Sequence, residues 1–342
     1  MDADEKVSLI MKPPTEEAVT EEELRGLFET NDSPNHYIGL EISGFLHLGS
    51  LISTGFKVND MARAGVRCTI FLADWHTVIN DKLGGDWETI SKVAGYYRRA
   101  FGAVCPEARI VLGSDLYAQS PTYWEEFVRF AKHMSLARTK RSLTIMGRSE
   151  TDSLDLAKLL YPPMQAADIH SLDLDIVHSG MDQRKIHMLV REIFPKMGWK
   201  VPVAIHHSLL PGLSAPTESG TKMSKSDPNS GILMHDADEQ IKKKISRAWC
   251  EAGSVSQNPV LEMCRQIVFH EKDRITVERP ERFGGDATYY GYDEVERDFA
   301  KGGLHPADLK RMVGAEVAGI VGPVRDTIAL DEELADTIRR SV

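Results

Sequence analysis

Between residues 36 and 113 three short apolar runs alternate with two amphipathic stretches, and no other feature of the chain restricts its fold so sharply. The runs are HYIGLEIS, VRCTIFLAD and ARIVLG; the intervening segments GFLHLGSLISTGFKVNDMARAG and DWETISKVAGYYRRAFGAV place Leu48, Leu51, Ile52, Val58 and Met61, among others, near helical spacing. Strands separated by helices pair in parallel, because returning a strand in the same direction requires a crossover of a dozen or more residues. The pattern predicts an α/β fold with a doubly wound parallel sheet and crossover helices on its faces.

The rest of the chain is organised around that sheet. TEEE, with Thr20 three residues before Glu23, is a capping box that opens a short helix in an N-terminal helical extension over residues 1–32. From about 114 to 160 the pattern turns helical and basic, which reads as an insertion in a catalytic domain over 33–210. LDIVHSG returns to strand and MDQRKIHMLVREIF to helix, a loop region follows VPVAIHHSLLPGL over 211–235, and 236–342 reads as a mainly α-helical domain.

Composition enters mainly through what it excludes. Cys68, Cys105, Cys250 and Cys264 are too far apart for a CxxC pair, against a zinc ribbon or a disulfide framework, and a reducing cytoplasm is the expected location. No stretch approaches the roughly 20 apolar residues of a membrane span. A net charge of −10 counts against a nucleic-acid partner on average, but Arg138, Lys140, Arg141 and Arg148 in the insertion, and Lys242, Lys243, Lys244 and Arg247 in the tail, are local basic clusters.

Two segments carry phosphate chemistry. In SGFLHLGS a strand ends, Gly44 turns the chain, and His47 and Gly49 fall in the first turn of a helix, where free N–H groups and the helix dipole favour an anion. An ordinary glycine turn beside a surface histidine would look the same. In GTKMSKSDPNSG, Lys222 and Lys225 are point charges three residues apart with serines between them, on a segment punctuated by glycine and proline. A solvated linker shares that polarity; paired lysines suit a polyphosphate whose charge is shifting. In a third stretch, YPPMQAADIH, Tyr161, Gln165 and Asp168 fall at i, i+4 and i+7 and share one helix face.

HLGS and KMSKS, in this order and this strand–helix setting, resemble the two signatures of class I aminoacyl-tRNA synthetases. YPPMQAADIHSLDLDIVHSGMDQRKIH resembles the amino-acid site of the archaeal and eukaryotic tyrosyl-tRNA synthetases, a likeness that extends from HYIGLEISG to LHPADLK. It implies a Rossmann-like catalytic domain that activates L-tyrosine with ATP, carrying Mg2+ on the nucleotide and none in a protein cage, then transfers tyrosine to the 3′ end of tRNA-Tyr. Matching residue by residue, Tyr37 and Asp168 would bond the substrate phenol, Tyr161, Gln165 and Gln183 its amino group, and Gly39 and Glu41 would line the floor. His47, Gly49, Ser50, Gly180, Asp182, Lys222, Met223, Ser224, Lys225 and Ser226 would meet ATP, with His47, Lys222 and Lys225 stabilising the developing charge. Arg141 and Arg184 would approach the tRNA acceptor stem, and Phe283, His305 and Asp308 the first anticodon base. The inserted helices would form a homodimer.

Departures from that pattern are Ser50 at the fourth position of HIGH, Ile42 where proline is common, Ser179 where glycine is usual, and Trp75 near the expected pocket. Leu116, Tyr117, His170 and Leu172 are expected in the pocket wall. The rival readings are a tryptophanyl-tRNA synthetase, a paralogue that binds RNA without charging it, and a nucleotidyl transferase forming another adenylate. Tyr37 with Asp168 argues against the first, since an indole offers a donor and no acceptor.

Overall fold

The computed structural model describes residues 1–147, 154–216, 230–328 and 330–341. The chain divides into two compact units, one of residues 1–44, 57–208 and 332–342, the other of residues 45–56 and 209–331.

The first unit is built on six strands: β1 (Thr15–Val19), β2 (Asn35–Leu40), β3 (Arg67–Leu72), β4 (Arg109–Leu112), β5 (Ile176–Gly180) and β6 (Val203–His207), in the order β1-β6-β5-β2-β3-β4. All neighbours are parallel except β1, which runs antiparallel along β6. The three sequence runs form β2, β3 and β4, and the helix Trp87–Val104 crosses between the last two with Asp86 accepting from the Thr89 N–H at its cap. Strand order proceeds outward in opposite directions from β2 and β5, so the crevice at their carboxyl ends is a topological switch point, where open α/β sheets hold ligands. Ile38, Ile70, Ile176, Val177 and Ile205 are buried between the helical layers, as strands covered on both faces require.

The N-terminal extension does more than the sequence suggested. Thr20 and Glu23 do form a reciprocal capping box, but TEEAV just before them is an edge strand. Two glutamates at its centre hide the strand from any reading by hydrophobic alternation. The terminal helix Glu332–Ser341 also departs from the expected tail: it belongs to the first unit and packs on Trp87–Val104.

In the second unit Asp238–Arg247 packs on the long helix Pro306–Ile328, with Ile241, Ile245, Val313 and Val317 buried. The helices meet closely at Gly314, where a Cβ would lie in ordinary contact, 3.5 Å from the Lys242 Cα. Strands β7 (Ile275–Val277) and β8 (Ala287–Tyr289) form an antiparallel hairpin whose connection contains RFGGD.

Candidate active site

In the first unit a polar cluster lies inside the apolar core. Tyr37, projected from β2, and Asp168, on the helix Tyr161–Ser171, are both buried, amid Phe71, Tyr117, Tyr123 and Met164. The Tyr123 hydroxyl donates to an Asp168 carboxylate oxygen at 2.7 Å, and His76 Nε2 lies 3.6 Å from the other oxygen. Tyr117 stacks against Tyr123 at 4.3 Å between ring centroids, and its hydroxyl is 3.5 Å from His76 Nδ1. Burial raises the Asp168 carboxyl to about 8 despite the hydroxyls of Tyr123 and Tyr117. Burial likewise holds His76 down at about 3, so its imidazole is neutral. Gln165 Oε1 and His76 Nε2 are buried without a hydrogen-bond partner. Buried orphans of this kind are costly unless a ligand or water satisfies them.

A second group adjoins it. Glu41 Oε1 accepts from the Tyr161 hydroxyl at 2.9 Å and from Asn80 Nδ2 at 2.8 Å, and the Asn80 amide also reaches the Met146 carbonyl. Gly39 lies beside it, where a Cβ would press on the Tyr37 ring at 3.2 Å, closer than ordinary contact. Gln183 donates to the Ile145 carbonyl, and Gly180 and Asp182 follow one another at the end of β5. The helix-face reading of Tyr161, Gln165 and Asp168 thus leads to one buried region. Tyr123, His76 and Asn80, which complete it, gave no signal of their own beyond being polar residues in apolar surroundings.

The departures acquire physical roles. The Ile42 N–H donates to Thr77 Oγ1 at 2.9 Å, a bond that proline would forfeit. Ser179 Oγ donates to the Gly180 carbonyl. Trp75 is exposed and tilted against Trp87, with a centroid distance of 5.0 Å. Of the expected wall, Tyr117 joins the cluster and Leu116 and Leu172 pack on its core, whereas His170 is stacked flat on Trp199 at 3.7 Å.

In the second unit His47 and Ser50 cap one another: the Ser50 N–H donates to His47 Nδ1 at 3.2 Å and the His47 N–H to Ser50 Oγ at 2.9 Å. His47 therefore precedes the helical turn that was expected to contain it, which begins as a π-helical segment over Gly49–Ser53. With Nδ1 accepting, a neutral His47 carries its proton on Nε2. Gly49 is closely packed, and a Cβ would press on His47 Cε1 and Leu210 Cβ at 3.3 Å. The segment is tied to the chain just beyond KMSKS: Leu48 N–H donates to the Ile232 carbonyl, Met234 N–H to Leu46, and His47 bridges Leu233. Lys222, Met223, Ser224, Lys225 and Ser226 themselves lie outside the described residues, as does Arg148.

Arg141 and Arg184 line one groove of about 590 Å³ in the first unit, with Arg138, Lys185 and Glu192. Arg138 is neutralised by an ion pair with Glu192. In the second unit Asp308 opens the helix Pro306–Ile328 beside His305 and pairs with Arg311 at 2.5 Å, and Phe283 ends the short 3-10 helix Glu281–Phe283. Among the described residues no three His, Cys, Asp or Glu side chains converge as a metal site, and no helix is long and apolar enough to cross a membrane.

A doubly wound sheet with a polar site at its switch point, and an HLGS segment paired to the chain just beyond KMSKS, is the architecture of a class I aminoacyl-tRNA synthetase. Comparison with known proteins agrees: the family model for class I tRNA synthetases of the tryptophan and tyrosine type matches residues 29–321. A tyrosine–tRNA ligase of Thermococcus gammatolerans is 43% identical over 99% of this chain and 98% of its own length. A crystal structure of the Pyrococcus horikoshii tyrosyl-tRNA synthetase with L-tyrosine superposes with a TM-score of 0.93 at 41% identity, covering 99% of this chain and 100% of that one. The Archaeoglobus fulgidus synthetase, also with L-tyrosine, gives 0.88 at 38% identity over 96% and 100%. The chain belongs to the tyrosine–tRNA ligase family.

Proposed function

We propose that the protein activates L-tyrosine with ATP, releasing pyrophosphate, and then transfers the tyrosyl group to the 3′ end of tRNA-Tyr. The observation that carries the choice of amino acid is the buried pair Tyr37 and Asp168, which offers a phenol both a hydroxyl partner and a carboxylate. Phenylalanine would leave both unpaired in a dry site; discrimination on this basis reaches roughly 10⁵ in the tyrosyl enzyme that is the standing example of the effect.

In the first step the tyrosine carboxylate attacks the α-phosphorus of ATP. No side chain need act as nucleophile, so catalysis rests on positioning and charge stabilisation. Tyr161, Gln165 and Gln183 hold the amino group, Gly39 and Glu41 form the floor, and Gly180 and Asp182 meet the ribose. His47, its tautomer fixed by Ser50, presents Nε2–H to phosphate beside Gly49, and Lys222 and Lys225, within KMSKS, neutralise the departing pyrophosphate. We assign Mg2+ to the nucleotide, because that cation keeps most of its waters and takes phosphate oxygens in preference to an all-protein cage.

For tRNA, Arg141 and Arg184 take the acceptor stem, which the groove they share supports, and Phe283, His305 and Asp308 read the first anticodon base by stacking and edge bonding. The protein works as a cytoplasmic homodimer. Trp124, Val128 and Leu136 in the inserted helices support the dimer: they are 54%, 55% and 60% exposed, an apolar stripe on an otherwise charged surface.

The decisive experiment is amino-acid-dependent ATP–pyrophosphate exchange across the twenty amino acids, followed by charging of tRNA-Tyr. Exchange with tyrosine alone is expected. Exchange with tryptophan in its place would overturn the assignment, and RNA binding without exchange would favour a non-charging paralogue.

A further inference from the structure

We propose that Glu17, on the N-terminal edge strand, is a positioning residue for the tRNA step: it holds the Arg184 guanidinium by one edge so that the other edge faces the groove. The proposal rests on the reading of Arg184 as an acceptor-stem contact.

The geometry is that of a clamp. Glu17 Oε1 accepts from Arg184 Nε at 2.5 Å, and Oε2 lies 3.4 Å from Nη2. A guanidinium has five N–H groups in a rigid fork. Two are turned to Glu17, leaving both Nη1 hydrogens and one on Nη2 for a phosphate or a base edge. Arg184 remains 44% exposed while lining the groove, so the pair fixes the side chain without burying it.

Glu17 is itself held from behind. It pairs with His206 in the β1–β6 register, next to an irregularity at Thr15/Glu17, and His206 Nδ1 lies 2.8 Å from Glu17 Oε1. His206 Nε2 lies in turn 3.0 Å from His187 Nδ1, and both imidazoles are buried. A hydrogen must sit on His206 Nδ1 to meet a carboxylate. With both rings neutral, His206 Nε2 is then an acceptor and His187 Nδ1 must donate to it. His187 Nε2, which has no partner, is left as a bare lone pair, a lesser cost than a buried unpaired N–H. Burial keeps both histidines below their usual range, consistent with neutral rings. Burial alone would raise the Glu17 carboxyl, but Arg184 and His206 outweigh it and hold it below the usual range, so it stays an acceptor. The chain His187, His206, Glu17, Arg184 therefore has one proton arrangement, and it begins and ends on the helix Arg184–Met197, whose first residue lines the groove. Arg141, by contrast, has no ion pair among the described residues, so the two groove arginines differ in how far they are organised before a ligand arrives.

The test uses the full chain with Glu17→Gln and Glu17→Ala, and Arg184→Ala as reference. Tyrosine-dependent pyrophosphate exchange without tRNA is measured beside kcat and KM for charging tRNA-Tyr. Glu17→Ala is expected to raise KM for tRNA about tenfold with exchange within twofold of the parent, Glu17→Gln to fall between, and Glu17→Ala to add nothing in the Arg184→Ala background. If Arg184→Ala impairs charging while both Glu17 variants charge normally, the positioning role is wrong and the reading of Arg184 stands. If Arg184→Ala charges at the parent's KM, that reading fails and takes the proposal with it. Parallel loss of exchange and charging would mean a structural role only, and a lower KM in the Glu17 variants would mean that Glu17 competes with tRNA; either overturns the proposal.

Discussion

The Tyr123 hydroxyl lies 2.7 Å from an Asp168 carboxylate oxygen, with both residues buried, and this contact fixes the orientation of the carboxylate assigned to the substrate phenol. Removing it leaves that carboxyl group free to rotate and short of a partner. Tyr123→Phe is expected to lower kcat/KM for tyrosine by about threefold to tenfold, mostly through KM, since a hydrogen bond to a neutral group contributes roughly 0.5–1.5 kcal/mol and this one acts equally on ground and transition states. Steady-state pyrophosphate exchange checks it; a fall in kcat at constant KM would contradict the role.

The same carboxylate couples stability to pH. Its folded-state value of about 8 stands well above the roughly 3.9 of an unperturbed aspartate. Between those limits the unfolded chain is ionised while the folded chain holds the proton. Stability is therefore greatest below about pH 4 on this account and is lost as pH rises towards 8. Asp168→Asn removes the titration, so its Tm should gain on the parent between pH 5 and pH 8, while its tyrosine activation collapses. Calorimetric scans at the two pH values decide it: a constant difference in Tm would show that Asp168 is not held protonated.

How much of this could be read from the chain varied with the physics of each part. The strands β2, β3 and β4 were legible because burial on both faces makes them continuous apolar runs between amphipathic helices. Strand β1 was not, because an edge strand needs only backbone pairing and here places glutamates where apolar residues would announce it. Tyr161, Gln165 and Asp168 were legible from their spacing on one helix, whereas Tyr123 and His76 reach Asp168 from 45 and 92 residues away, a proximity that only the fold creates. Ser50 looked like a lost histidine, and its reciprocal bond with His47 shows a cap in that place.

That cap has a measurable consequence. Ser50→Ala removes the acceptor for the His47 N–H and so loosens the turn whose backbone N–H at position 50 holds the ring that is assigned to phosphate. The kcat for pyrophosphate exchange should fall about tenfold, and His47→Ala should cost about 10²–10³, the scale for deleting one preorganised donor to a developing charge. Tyrosine affinity, measured by equilibrium binding without ATP, should be unchanged in Ser50→Ala; a loss there would mean that the turn supports the amino-acid site.

Lys222→Ala and Lys225→Ala test the KMSKS assignment. Charges that act on the departing pyrophosphate contribute in the transition state and little in the tyrosine complex. Each variant should lower the single-turnover adenylation rate by about 10² or more (roughly 3 kcal/mol), with tyrosine affinity within about twofold. Equal losses in rate and affinity would remove the lysines from the chemistry.

The proposed homodimer can be tested at one residue. On the helix Tyr123–Ala131, Tyr123, Phe127 and Phe130 face the core, and Trp124 and Val128, one turn apart, are exposed on the other side. Trp124 packs edge-on against Tyr123 and Phe127, so changing it would disturb the tyrosine site, but Val128 can be altered without touching that cluster. Val128→Asp places a charge that would have to be desolvated in an apolar interface, a cost of several kcal/mol unless it is paired. Sedimentation at micromolar concentration should show the parent at twice 38.2 kDa and Val128→Asp at the mass of a single chain. A parent that sediments as a monomer would refute the dimer, and a variant that stays dimeric would move the interface away from this helix.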